Sequence, residues 1–267
     1  MIHGILVDYR HQVLPMSVVM ESWLPRHRFN EDDLERLYEF GILGPGDRVE
    51  LIEGKILNLT DRMAGAYSTI VRRESKAMDA VPDSWIPYRR FRTADYYRMW
   101  EIGLFAPDAR VELIEGEIID MAPIGSPHCG AVGWLNEMLC VALQKRVIVW
   151  PQNVVKLSDF SHPQPDIALL ERRKDFYRGA HPGPPETFLI IEVSESSLRM
   201  DQVVKVPLYA HFEIPELWIV DLVHERLHMY RAPRDGEYTD VTSVEKPGVT
   251  AVSVLPGVSV DLSDLFG

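Results

Sequence analysis

The chain has 267 residues, of which 46% are hydrophobic, 25% charged and 9% aromatic; this is the balance of a soluble globular protein with a sizeable core and excludes a disordered or fibrous chain. A formal net charge of -12 argues against a protein that coats nucleic acid with clustered Lys and Arg. It leaves room for a nuclease, because a site that holds a metal ion needs local carboxylates and the ion itself faces phosphate.

The first twenty residues contain Asp8, Arg10, His11 and Pro15, so they lack the unbroken apolar run of a signal peptide, and no later stretch reaches membrane-spanning length. The expectation is a cytoplasmic protein with no membrane partner. Cys129 and Cys140 fall within one expected helix, about 16 Å apart at the helical rise. They cannot pair there, in keeping with a reducing cytosol.

Beyond an N-terminal tail, residues 1–22, the strongest signal is an internal repeat. Residues 29–57 align without gaps on residues 91–119, an offset of 62, and the heptapeptide RVELIEG is identical in both copies. Each copy predicts a helix, a turn and a strand, with the turn marked by Gly41 and Pro45 in one and by Gly103 and Pro107 in the other. The partial duplicate occupies 23–87 together with a connector, 61–87, that carries Arg72, Arg73, Glu74 and Lys76. The main domain is expected over 88–267.

After Ile119 the copies diverge. Val132, Leu135, Leu139, Ala142 and Leu143 recur at helical spacing and predict an amphipathic helix over 128–146. Short apolar, β-branched runs at 147–157, 166–171 and 188–194 predict three strands. Ser196 or Ser197 can cap a helical segment reaching about Phe212, which Pro207 should kink or restart. Two further runs, 216–222 and 226–232, flank Val223, His224 and Glu225 as a hairpin. The order α-β-α-β-β-β-α-β-β is that of a mixed α/β fold.

Three polar residues stand out in this order. Asp166 follows Pro165 at the head of a strand, Glu192 interrupts the apolar run FLIIEV, and Lys205 lies thirteen residues beyond Glu192. A carboxylate inside a core strand costs several kcal/mol unless a partner or metal compensates it. Two carboxylates at the same end of a sheet can hold Mg²⁺ in an oxygen-rich shell that leaves places for water and a phosphate, and the Val193 carbonyl can add to it. A nearby ammonium would orient the attacking water and offset developing charge.

The strings RVELIEGEIIDMAPIGSPH, the Pro165-Asp166 pair, IIEVSESSLRMDQVVKVPLYAHFEIPELWIVD and MYRA resemble the Uma-two family of endonucleases, within the PD-(D/E)XK restriction-endonuclease-like superfamily. The resemblance covers about residues 91–232. It implies an α/β fold with a mixed-sheet restriction-endonuclease-like core, α-β-β-β-α-β, preceded here by the helix-strand unit duplicated at the N-terminus. It also implies that Asp166 and Glu192 are the motif acids that bind Mg²⁺ or Mn²⁺. The superfamily pattern puts Lys two positions after Glu, where this chain has Ser194; the resemblance implies that Lys205, from the next segment, replaces it. The implied activity is hydrolysis of DNA phosphodiester bonds.

Each of these residues has an ordinary alternative. Asp166 could belong to a plain Pro-Asp turn, and Lys205 could pair with Asp201 at i,i+4 on a helix surface. Glu112 and Glu115 recur in the first copy as Glu50 and Glu53, without the rest of the site, so a structural role is expected for them. His128 is expected to be a solvated helix-start residue and Glu137 a surface one. The segment 171–186 carries Arg172, Arg173, Lys174 and Arg178 beside Phe176 and Tyr177; it is either a nucleic-acid contact or a solvated loop. The acidic charge and the extra copy also allow a non-catalytic binding or assembly module, a homo-oligomer (dimer) paired through that copy. A third possibility is that residues 23–87 cover a sheet edge or the site.

Overall fold

The Glu-Gly dipeptide that closes both copies of RVELIEG decides the local fold. In the computed structural model, which describes residues 23–59 and 88–267, Glu53 and Gly54 have φ of 49° and 76°, and Glu115 and Gly116 have 50° and 83°. Two successive left-handed residues make the two-residue turn that matches the twist of a hairpin. Each copy is therefore a helix followed by two strands: α1 (Glu31–Glu39), β1 (Val49–Ile52) and β2 (Lys55–Asn58), then α2 (Thr93–Glu101), β3 (Val111–Ile114) and β4 (Glu117–Asp120). The single strand expected in each copy is thus corrected, because the turn sits inside an apolar run whose alternation continues past it. The expected tail, 1–22, and connector, 61–87, lie outside the described residues.

The two copies share one apolar cluster, in which Phe29, Leu37 and Leu43 of the first meet Phe91, Met99 and Leu113 of the second. Apolar burial of this kind is the main favourable term holding them together. The chain then enters α3 (Ser126–Leu143), with a proline in its first turn where the missing N–H costs nothing.

Next come β5 (Ile148–Pro151), β6 (Ile167–Leu170), β7 (Thr187–Ser194), α4 (Val206–His211), β8 (Glu216–Asp221), β9 (Arg226–Arg234) and β10 (Glu237–Glu245). Their strands form one six-stranded sheet in the order β10-β9-β8-β7-β6-β5. Only β7 and β8 run parallel, joined through α4; the other neighbours are antiparallel. The run α3-β5-β6-β7-α4-β8 is the expected core. The strand expected over 147–157 is regular only as β5, since Gln152 at φ 49° turns the chain out of the sheet. Short β11 (Val249–Ala251) and β12 (Ser259–Asp261) pair with each other.

Both faces of the sheet are covered, which is why β7 reads as continuous apolar sequence. Leu189, Ile191 and Val193 pack with Val132, Leu135 and Leu139 of α3. Ile190 joins Leu208 and Tyr209 of α4 on the other side. By the two-residue period of a strand, Glu192 shares the face of Ile190, so the sheet aims it at α4.

The hairpin turns give the first test. A Cβ at Gly116 would lie 2.7 Å from the Arg90 Cβ and would also carry the strain of φ +83°. Gly116→Ala should lower stability by about 1–3 kcal/mol. Gly46→Ala, where a Cβ meets nothing within 4 Å, should stay within about 0.5 kcal/mol; denaturant melts of the two variants check this, and equal losses would contradict it.

Candidate active site

Three local pairings bring the acidic groups to one rim of the main sheet. In the antiparallel register of β6 and β7, Ile167 faces Ile191, so the residue before β6 stands beside the end of β7; the Val193 N–H donates to Asp166 Oδ2 at 2.8 Å. The long β5–β6 connection returns along the β3 edge, where the His162 N–H donates to the Leu113 carbonyl at 2.7 Å. Two residues on, the Gln164 N–H donates to Glu112 Oε1 at 2.8 Å.

The segment after β7 supplies the cation. It is a short α-helical turn, Leu198–Met200, then a wider π turn, Asp201–Lys205, then α4. Pro207 has no N–H to give and its ring crowds the preceding turn; the helix widens and restarts there, as the sequence anticipates. Lys205 is 5% exposed. Its Nζ lies 3.2 Å from Glu192 Oε1 and 3.3 Å from Glu112 Oε1, and the Tyr209 hydroxyl donates to Glu192 Oε1 at 2.7 Å.

Asp166, Glu192 and Lys205 thus line one cavity of about 410 Å³, together with Glu112, His128 and Asp201. Lys205 does not make the surface ion pair with Asp201 that its spacing allows. Asp201 is buried and accepts instead from the Ser194 hydroxyl at 2.6 Å and the Ser197 hydroxyl at 2.7 Å. The serine that stands two positions after Glu192 therefore serves this neighbouring carboxylate.

Two expectations are corrected. His128 is buried rather than solvated, with its Nε2 3.0 Å from Asp166 Oδ1 and its Nδ1 without a hydrogen-bond partner. The signal was available: His128 lies four residues before Val132, on the same stripe as Leu135 and Leu139. Glu112, expected to be structural, is 2% exposed and pairs with Lys205. Its identity with Glu50 concealed this, since only the second hairpin stands next to the sheet. Glu115 does act structurally, accepting from the Ser161 hydroxyl and backing the turn with its own N–H, and Glu137 is exposed. Tyr209, four residues beyond Lys205, was not singled out by sequence.

The segment 171–186 leaves β6 at the end away from Asp166 and returns at the start of β7, so it lies at the opposite end of the sheet from the carboxylates. Tyr177 is buried and donates to the Glu171 carbonyl, and Arg173 is paired with Asp175. Cys129 and Cys140 both lie on α3 and are unpaired with each other, as their spacing implies, and both are exposed.

The buried cluster holds more acids than cations. Burial, and then the neighbouring Asp201, Asp166 and Glu112, push the Glu192 carboxyl up to about 8 against the opposing effect of Lys205. Burial alone would lower Lys205, but the surrounding carboxylates outweigh it and hold the ammonium well above its ordinary range. Four acids thus crowd a single buried ammonium.

A helix, a three-stranded antiparallel run, a crossover helix and a parallel strand, with acids at one rim, make up a restriction-endonuclease-like α/β core. Residues 93–263, more than half the chain, match the family model described as "Uma2: Putative restriction endonuclease", and the chain belongs to that family. No curated protein matches it. A solved structure described as a "putative nuclease belonging to DUF820 from Anabaena variabilis ATCC 29413" is similar in fold, with a TM-score of 0.50 at 14% identity over 66% of this chain and 97% of that one.

Glu192 sets a pH dependence. A carboxyl whose folded pKa is raised contributes stability that is complete below its unfolded value and lost as pH rises through its folded value. For Glu192 that window runs from about 4.5 to about 8. In chelator, Glu192→Gln should therefore gain thermal stability relative to wild type as pH rises across this window; a melting-point difference that stays constant with pH would contradict it.

Proposed function

We propose that the chain is a divalent-metal-dependent endonuclease that hydrolyses DNA phosphodiester bonds, with Asp166 and Glu192 as metal ligands and Lys205 as the catalytic cation. One observation carries this reading: Asp166, Glu192 and Lys205, distant in sequence, line one cavity at the rim of the sheet.

Mg²⁺ or Mn²⁺ suits these donors. They are carboxylate oxygens, joined in this reading by the Val193 carbonyl, and hard divalent ions take oxygen ligands. Burial first, and then the neighbouring Asp201, Asp166 and Glu112, raise the Glu192 carboxyl, and a divalent ion would favour its charged form. Among the described residues no group of three or more His, Cys, Asp or Glu side chains is arranged to hold a metal ion. Magnesium does not need such a group, since it keeps several waters and is commonly held through one or two carboxylates. When bound, the ion would supply positive charge against the phosphate and lower the pKa of a bound water.

The chain's own residues divide the remaining tasks. Lys205, fixed between Glu192 and Glu112, presents an ammonium that stays charged and can offset negative charge developing on the phosphate. Tyr209 orients Glu192 by donating to one of its oxygens. His128 and the Val193 N–H hold the two oxygens of Asp166, as outer partners hold first ligands in metal sites.

A second reading, the non-catalytic assembly module, is favoured by the net charge of -12; a homo-oligomer, expected as a dimer, belongs with it. The extra copy, however, is already paired within the chain, since Arg26 bridges to Ile119 and Tyr88 to Leu57. Among the described residues no helix is long and apolar enough to cross a membrane; the cytoplasm is the compartment proposed.

The test is cleavage of DNA by purified protein with Mg²⁺ or Mn²⁺. Asp166→Ala, Glu192→Gln and Lys205→Met should each reduce the rate by about a hundredfold or more, the scale of losing one preorganised charge-stabilising group. Melting curves taken alongside separate lost chemistry from lost folding. Cutting that persists in Asp166→Ala, or no cutting with either metal, would overturn the reading.

A further inference from the structure

The repeat extends beyond its helix-hairpin unit. Trp23-Leu24-Pro25-Arg26-His27-Arg28 aligns on Trp85-Ile86-Pro87-Tyr88-Arg89-Arg90 at the same offset of 62. These lead segments are exchanged between the copies. The first lead pairs with the second hairpin, Arg26 bridging to Ile119 and the His27 N–H donating to the Ile118 carbonyl at 2.8 Å. The second lead pairs with the first hairpin in the same way, Tyr88 bridging to Leu57 and the Arg89 N–H donating to the Ile56 carbonyl at 2.8 Å. Every one of these partners is shifted by 62 residues. The two copies thus form a pseudo-two-fold pair of the kind seen between identical subunits, where residue i meets j and j meets i.

Only the second hairpin stands beside the carboxylates, so the exchange has one functional consequence. It carries the first lead segment onto the outer edge of β4 and sets Trp23 and Pro25 in the wall of the site cavity. The guanidinium of Arg199, from the segment between Glu192 and Lys205, lies 4.3 Å from the centre of the Trp23 ring and ties that wall to the segment that carries Lys205. The cavity is therefore two-sided, with buried acids on its floor and an aromatic wall delivered by the first copy.

Resting on the nuclease reading above, we infer that this site takes single-stranded polynucleotide, with an unpaired base laid against Trp23. Aromatic side chains bind single strands because every base has a stacking face, and a cationic neighbour strengthens the contact. In a duplex those faces are already stacked on neighbouring bases. Depth points the same way. Glu112, Glu192 and Lys205 are 2%, 3% and 5% exposed, so a phosphate must pass between the walls to reach them. A cavity of about 410 Å³ has the volume of a small-molecule pocket, which suits one nucleotide and not two paired strands. Arg110 also lines it and brings a guanidinium to the side of the cavity where the flanking phosphates would lie.

The experiment compares one DNA sequence as a single strand and as a duplex, with Mn²⁺, in wild type, Trp23→Ala and Trp23→Phe. The single strand should be cut at least about tenfold faster. Trp23→Ala should raise KM for it by about tenfold, the scale of one lost stacked base, with a smaller effect on kcat; Trp23→Phe should restore most of the loss. Mn²⁺ binding should not change, and Trp23→Phe should melt close to the wild type. Duplex cut as fast as single strand, with Trp23→Ala unaffected, would overturn this inference and leave the nuclease reading standing. A fall in kcat and melting point that Trp23→Phe does not rescue would assign Trp23 a structural role and overturn it as well. If neither DNA is cut, fluorescence anisotropy of a labelled oligonucleotide decides: single-strand binding lost in Trp23→Ala supports the stacking wall while the nuclease reading falls, and no binding of either DNA overturns both.

Discussion

The buried ammonium of Lys205 ties the molecule together. It joins Glu192 on the central strand to Glu112 on the second hairpin, from the last position of the π turn Asp201–Lys205 that precedes α4. An ion pair so deeply buried is a poor source of net stability, because taking the charges out of water costs about as much as their attraction returns. Its effect is positional. Removing Lys205 would leave Glu192 and Glu112 crowded together without a cation in a region with little water, so the ammonium holds the three elements to a single arrangement.

That arrangement explains why one hairpin serves the site and its twin does not. Both copies turn their hairpin on the same Glu-Gly pair and bury matching apolar faces against each other. The second copy leads into α3, which brings His128 to Asp166 and lays Leu135 and Leu139 on the sheet. Duplication therefore kept the fold of the unit while its surroundings divided the roles. Glu50 stays in a hairpin remote from the sheet, and Glu112 becomes a partner of Lys205.

Much of this was legible from local pattern. Helical spacing located α3, apolar β-branched runs located the central strands, and a carboxylate interrupting such a run singled out Glu192. The displaced lysine was reached through the family resemblance rather than through spacing. What local pattern could not show were the long-range pairings. The hairpin turns were hidden inside alternating sequence, and the exchange of lead segments depends on contacts between residues such as Arg26 and Ile119. His128 and Glu112 were misread for a common reason: each was judged by its own element, whereas its burial is imposed by a neighbour distant in sequence. The strands β10, β11 and β12 also went unannounced, as short or half-exposed strands carry weak periodicity.

The account stands on Asp166 and Glu192 forming a site for one divalent ion. Calorimetric titration of Mg²⁺ or Mn²⁺ into wild-type protein and Glu192→Gln, repeated in buffers of different ionisation enthalpy, addresses this without needing the right substrate. Because the Glu192 carboxyl is raised to about 8 and a ligand must bind deprotonated, the wild type should take up one ion at neutral pH and release a proton, and Glu192→Gln should do neither. Equal binding by both proteins, or none by the wild type, would contradict it.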